Sequence, residues 1–304
     1  METTKKSPIP LWLIFLIGII AISFSSIFIK LSTAPVSISG MYRLLFTNLL
    51  MLPFIWKHIE EIKRIKSINW LYLVGSGVAL GLHFLLWMAS LRYTSVASST
   101  VLMTLEPILV LAGAYVAYRE KTTAAAMIGI AIAVGGAMMV GWKDMSVSMS
   151  GNEWKGDLLS LLGTAAVAVH MLLGQKLSRS VAATPYSFIV FFVAALSFAV
   201  FNLAQGYSFI QYEGREWGLF LLLALVPTLF GHVLFNWSLQ FVNAASVSTA
   251  VLGEPVGAAI LAWMLLGEGI TFIQAIACCL LLAGVWIFLK TNRVTARPAS
   301  SSAK

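Results

Sequence analysis

ASLRYTSVASSTVLMTLEP at residues 89–107 and WSLQFVNAASVSTAVLGEP at residues 237–255 align without a gap. The offset of 148 residues pairs Ser90 with Ser238, Ser98 with Ser246, and Glu106-Pro107 with Glu254-Pro255. Downstream, Arg119-Glu120 falls opposite Gly267-Glu268. Upstream, Lys30-Leu31-Ser32 resembles Lys176-Leu177-Ser178 at a slightly shorter offset. Each motif sits in a long apolar stretch. A carboxylate in hydrocarbon must protonate, pair or reach water, and a proline beside it interrupts a helix. Two such dipeptides at equivalent positions mark a duplication with polar chemistry at mid-depth of a membrane.

The rest of the chain has the same character. Its 304 residues are 59% hydrophobic and 11% charged, far too apolar for a soluble domain whose surface must meet water. Stretches of the roughly 20 residues needed to cross a bilayer recur throughout. Ten spans are read, at 11–30, 37–56, 69–91, 96–118, 123–142, 156–175, 185–205, 217–237, 244–266 and 271–290. The tight links near Thr94-Ser95 and Asn243 must be turns, because one helix of more than about 45 apolar residues exceeds a bilayer about 30 Å thick. The first span has no cleavage-like site after Lys30 and reads as a retained helix. The fold expected is an all-α polytopic membrane protein with ten transmembrane helices in two inverted five-helix repeats. Residues 1–142 form the first repeat, 143–155 a linker, 156–290 the second repeat and 291–304 a flexible basic tail.

The formal net charge of +8 would suggest nucleic acid in a soluble protein, but here orientation explains it. With both termini cytoplasmic, 14 Lys/Arg fall on the cytoplasmic side and five on the other, with Arg43 inside a span. A repeat of five spans is odd, so its second copy enters from the opposite face. The halves are then related by a pseudo-two-fold axis in the membrane plane, the geometry of alternating access.

These features resemble the EamA-type members of the drug/metabolite transporter superfamily. The resemblance covers about residues 11–290 and rests on ten spans, two five-span halves and the S-x(7)-E-P pattern in each fourth helix: Ser98 with Glu106-Pro107, and Ser246 with Glu254-Pro255. It implies a central cavity lined by both halves and cargo that differs between members, including amino acids, other metabolites and drugs.

Glu106, Pro107, Glu254 and Pro255 are the gating or proton-coupling candidates. Three roles fit them: a proton-coupled switch, a hydrogen-bonding anchor between helices, or a cap on backbone groups freed by the proline. Their symmetry favours a structural or gating role. Arg43 has no cationic counterpart in the aligned PYSFIVFFVAA at 185–195. It either binds a substrate carboxylate through its forked donors, snorkels to the interface, or pairs with a membrane acid. His83, Trp87, His232, Asn236, Trp237, Ser98 and Ser246 are the remaining substrate-binding candidates. His232, Asn236 and Gln240 share a helix face at four-residue spacing. For each histidine the bland reading is a packed core residue, and for each serine it is close helix packing.

Trp12, Trp56, Trp70, Trp217 and Trp286 lie near span ends, where they suit the interface. Gly75, Gly77, Gly81 and Gly135-Gly136 suit helix contacts or bends. The segment 57–68 has apolar residues at helical spacing and suits the cytoplasmic interface. Neither metal nor cofactor is expected: Cys278 and Cys279 are adjacent in an apolar run, and no phosphate-binding loop is present. The chain reads as no enzyme. It reads as a secondary active or facilitative transporter of small metabolites such as amino acids in a bacterial inner membrane, with export as its direction. The alternatives are a multidrug or amphipathic-cation exporter and a non-transporting membrane scaffold or receptor. Its partners are then a small-molecule substrate and membrane lipids, not nucleic acid. A monomer holds a complete transport unit, and a homodimer through lipid-facing helices is compatible with it.

Overall fold

A computed structural model describes residues 7–90, 93, 99, 102–141, 153–266 and 272–292. Ser98, Glu268, Lys143, residues 142–152 of the linker region and the tail beyond Asn292 lie outside the described residues. The described chain is helical. Helix α1 spans Leu11–Leu31 and α2 Val36–Ile55; a 3-10 turn at Trp56–His58 leads to the short α3, Ile59–Lys63. Helix α4 runs Ser67–Ser90, α5 Glu106–Tyr118, α6 Ala124–Gly141, α7 Glu153–Leu177 and α8 Ala183–Ala204. The eighth span is a composite of α9 (Gly214–Leu223), a π-helical segment (Ala224–His232) and α10 (Val233–Ser238). Then come α11 (Ala244–Val251), α12 (Glu254–Leu266) and α13 (Phe272–Thr291).

Eight helical segments are long and apolar enough to cross a membrane, and Glu106–Tyr118 and Ala124–Met139 are shorter apolar helices. The outer surface is correspondingly oily: Trp12, Leu71, Val116, Leu203 and Phe272 are each at least two-thirds exposed or nearly so. In water such a surface would drive aggregation, so its solvent is lipid. The chain is therefore an all-α, multi-pass membrane protein.

One sequence expectation needs correction. The fourth and ninth spans are not continuous helices. Turn residues Thr104-Leu105 precede α5, and Leu252-Gly253 separate α11 from α12. Pro107 and Pro255 lack the N–H that would continue a helix and would clash with the carbonyl four residues back, so a helix restarts at each Glu-Pro. Helix α7 begins at Glu153, within the last residues of the stretch read as linker. Trp217, near the start of α9, also has partners within the bundle. It packs 4.8 Å from the Tyr42 ring, and its indole N–H donates to the Tyr212 carbonyl.

The helix pairings obey a rule. Helix α1 packs on the π segment as α7 packs on α4, and α1 meets α12 as α7 meets α5. Helices α2 and α8 pack on each other, and so do α6 and α13. Exchanging the two halves maps each pair onto its counterpart or onto itself. The α6–α13 contact is a backbone approach: a Cβ added at Gly136 would lie 2.6 Å from the Leu281 nitrogen. Its neighbour Gly135 faces open space instead. Two apolar clusters form the core, one rich in α6, α11 and α13, the other in α2, α4 and α8. Phe235 of the first and Phe84 of the second both border the cavity described next.

Candidate functional site

The eighth span shows how sequence builds the site. Pro227 cannot donate to the Leu223 carbonyl four residues back. That carbonyl instead accepts from the Thr228 hydroxyl at 2.8 Å, within the π-helical turns. The same Thr228 oxygen accepts from Arg43 Nε at 2.6 Å, and Ser25 Oγ of α1 accepts from Arg43 Nη1 at 3.2 Å. The guanidinium carbon lies 4.7 Å from the centre of the Phe84 ring, a cation–π contact. Arg43 is 1% exposed, so it does not snorkel to the interface. It is pinned from three other helices, and Glu254 lines the same cavity.

Arg43 forms part of the wall of a cavity of about 180 Å³. His83, Trp87, Glu106, His232, Glu254 and Pro255 line it too, as does Ser25, so with Arg43 seven of the sequence candidates converge on one space. Each broken helix delivers its carboxylate there from its first turn, where the N-terminal end of a helix favours negative charge. The Glu254 backbone carbonyl accepts from Ser23 Oγ at 3.2 Å, which ties α12 to α1. His83 Nδ1 donates to the Gly163 carbonyl at 2.9 Å. That bond fixes its tautomer in the neutral ring and leaves Nε2 as an acceptor. The His83 and Trp87 rings lie nearly parallel, 6.5 Å apart.

Other candidates are placed elsewhere. Asn236 Nδ2 donates to Ser187 Oγ at 3.2 Å, and the Trp237 ring packs against Phe241 at 4.6 Å. Gln240 lies beyond the end of α10, so the four-residue spacing does not make one continuous face. Pro107 is buried but is not part of the cavity wall. Ser246 sits in the first turn of α11, where Asn243 is the cap: Asn243 Oδ1 accepts from the Ser246 N–H and hydroxyl, at 3.0 and 2.8 Å. His170 shares a buried network with Ser76 and Tyr186, away from the cavity.

Two polar ties are not evident from the sequence. At the bundle end that carries Tyr118, Leu177 and Thr291, Gln175 donates to Glu120 at 2.8 Å and its carbonyl oxygen accepts from the Ala244 N–H. Asn292 donates to Asn243 and to Ser246 beside it. Arg119 takes a left-handed conformation (φ 57°) that ends α5 and turns Glu120 toward this latch. At the opposite end, Glu216 accepts from the Thr33 N–H at 2.9 Å and from the hydroxyls of Ser32 and Thr33, holding the α1–α2 turn. Among the described residues no three His, Cys, Asp or Glu side chains gather as a metal site.

A multi-pass bundle whose two halves wall one largely apolar cavity set with a few buried polar side chains has the architecture of a membrane transport protein. More particularly, residues 9–142 and 154–290 each match the EamA-like transporter family, and the chain belongs to it. That places it among transporters, not enzymes. The "Uncharacterized transporter YetK" of Bacillus subtilis (strain 168) is 25% identical over 274 residues, spanning 88% of this chain and 82% of that protein. "Uncharacterized transporter YyaM" of the same organism is 23% identical over 208 residues, 66% of each. A solved structure described as "Crystal structure of protein" has a TM-score of 0.77 at 15% identity, covering 90% of this chain and 94% of that one, a likeness of fold.

Proposed function

We propose that this chain is an alternating-access transporter that moves a small polar or amphipathic metabolite through the cavity between its halves, with export as its direction. One observation carries the reading. Side chains from both halves wall a single cavity, and the broken helix of each half contributes its glutamate to it. When two such halves rock against each other, the same site is offered first to one face and then to the other.

The exchange-related helix pairs support inverted repeats at 1–142 and 156–290, joined by a linker. The Lys/Arg balance supports cytoplasmic termini in a bacterial inner membrane. In that orientation the Glu120 latch lies at the cytoplasmic end. The cavity reaches from mid-depth toward Ile29 and Trp87, near the outer ends of α1 and α4. Its volume of about 180 Å³ is below the roughly 300–1,000 Å³ of sites for drug-sized ligands, which favours a metabolite over multidrug cargo. Both halves lie in one chain, so a monomer holds the whole route. The driving force is the cargo gradient or a coupled proton gradient acting at Glu106 and Glu254.

A flux screen in purified vesicles tests this, with amino acids, nucleosides and amphipathic cations, each with and without a proton gradient. Saturable metabolite flux is expected. Stable binding with no flux in either vesicle orientation would refute transport and favour a receptor. Single cysteines at Thr33 and Ser180 should label from opposite faces, and labelling from one face would remove the inverted arrangement.

A further inference from the structure

We propose that the cavity selects a zwitterion, holding a carboxylate at Arg43 and Trp87 and an ammonium at Glu106, with the rest of the ligand apolar. This assignment rests on reading the cavity as the substrate site.

Among the described residues, three that line the cavity each carry a buried side-chain atom with no hydrogen-bond partner: Arg43 Nη2, Trp87 Nε1 and Glu106 Oε1. Arg43 is 1% and Glu106 4% exposed, so bulk water does not serve them. A buried polar atom without a partner is destabilising, and folded proteins keep few of them. The other buried atoms of this kind, on Ser37, Asn48 and Asn202, do not border the cavity. Three such residues around one cavity constitute a binding pattern.

The pattern has a definite polarity. The indole N–H can only donate, and the guanidinium can only donate. Nε and Nη1 of Arg43 are committed to Thr228 and Ser25, which leaves Nη2 as the free corner of the fork. Two donors suit the two oxygens of a carboxylate. Glu106 Oε1 is an acceptor on the α5 side of the same space and suits a positively charged N–H donor.

The charge balance agrees. One cation, Arg43, and two carboxyls, Glu106 and Glu254, line the cavity, so one carboxyl is left over. A zwitterion adds no net charge to the buried site and serves all three unpartnered atoms at once. An anion alone leaves Glu106 unserved, and a cation alone leaves Arg43 and Trp87 unserved. Ile22, Ile29, Phe84, Val167, Met171 and Phe235 supply an apolar surface for the remainder of the molecule.

The test measures binding to the purified full chain in detergent. The probes are leucine, methionine and phenylalanine, each beside the amine lacking its carboxylate and the acid lacking its amine. At least one amino acid should bind tenfold or more tighter than both of its analogues, the scale of losing one charge-assisted hydrogen bond, roughly 1.5–3 kcal/mol. Glu106→Gln should erase most of the advantage over the acid analogue. Trp87→Phe should shrink the advantage over the amine analogue and leave the other comparison unchanged. The assignment fails if no amino acid binds, if either analogue equals its parent, or if both advantages survive the substitutions. Vesicle flux separates this from the transport reading. Flux of another solute without zwitterion binding overturns the selectivity alone, whereas selective binding without flux overturns transport alone.

Discussion

Thr228 is where the break in the eighth span meets the buried cation, and removing its hydroxyl should be costly. Thr228→Val keeps the branched shape but deletes the oxygen that accepts from Arg43 Nε at 2.6 Å and donates to the Leu223 carbonyl at 2.8 Å. The hydroxyl is fully buried, so water does not replace it. Stranding a charged donor forfeits a bond of roughly 1.5–3 kcal/mol. The carbonyl has two lone pairs and sits in a helix, so its share is small. The expected loss is about 2 kcal/mol. Thr228→Ser retains both bonds and sheds a methyl group, which costs about 0.8 kcal/mol at full burial. The assay is denaturant unfolding of the purified protein in mixed micelles, comparing the two variants with the parent. Valine at this site should be clearly worse than serine. Equal midpoints for valine and parent, or serine as damaging as valine, would refute the claim that the hydroxyl anchors Arg43.

Four further outcomes follow from the geometry. Gly136→Leu should destabilise by about 1–3 kcal/mol or more through overpacking against the Leu281 backbone, whereas Gly135→Leu should be near neutral, both read from thermal unfolding. Glu216→Gln removes charge from an oxygen pair that holds the Thr33 N–H and two hydroxyls and should cost about 1–3 kcal/mol. The control Glu213→Gln, at an exposed position three residues earlier, should not register. Gln175→Ala frees both Glu120 and the Ala244 N–H. At about 1 kcal/mol per bond, it should raise thiol labelling of a cysteine at Ser246 several-fold, and unchanged labelling would mean the latch does not hold that end shut. Arg43→Met leaves Glu254 without its cation, so Arg43→Met combined with Glu254→Gln should be less damaging than the sum of the two, with a coupling of about 0.5–3 kcal/mol in a double-mutant cycle.

The sequence by itself determined the solvent and the duplication. Apolar runs of bilayer length need only local hydrogen bonding to form helices, so composition and length reveal them without tertiary knowledge. The aligned stretches at 89–107 and 237–255 revealed two copies, because duplicated residues keep their spacing whatever the chain packs against. Arg43, His83, Trp87, His232 and the two Glu-Pro pairs stood out because polar groups in oil are rare.

Only the tertiary structure decided which of these groups meet. Arg43 finds Thr228 185 residues away and Ser25 18 residues back, pairings that no local spacing encodes. Asn236 lies on the same span as His232 yet bonds to Ser187 of α8, a partner 49 residues away that spacing along the span does not name. Glu120 and Gln175, ordinary polar residues at span ends, become a latch only when their helix ends converge. The physical reason is one of range. Burial in lipid and helix propagation act along the chain, while a cavity and its donors arise from side chains of separate helices whose mutual rotation is set by packing.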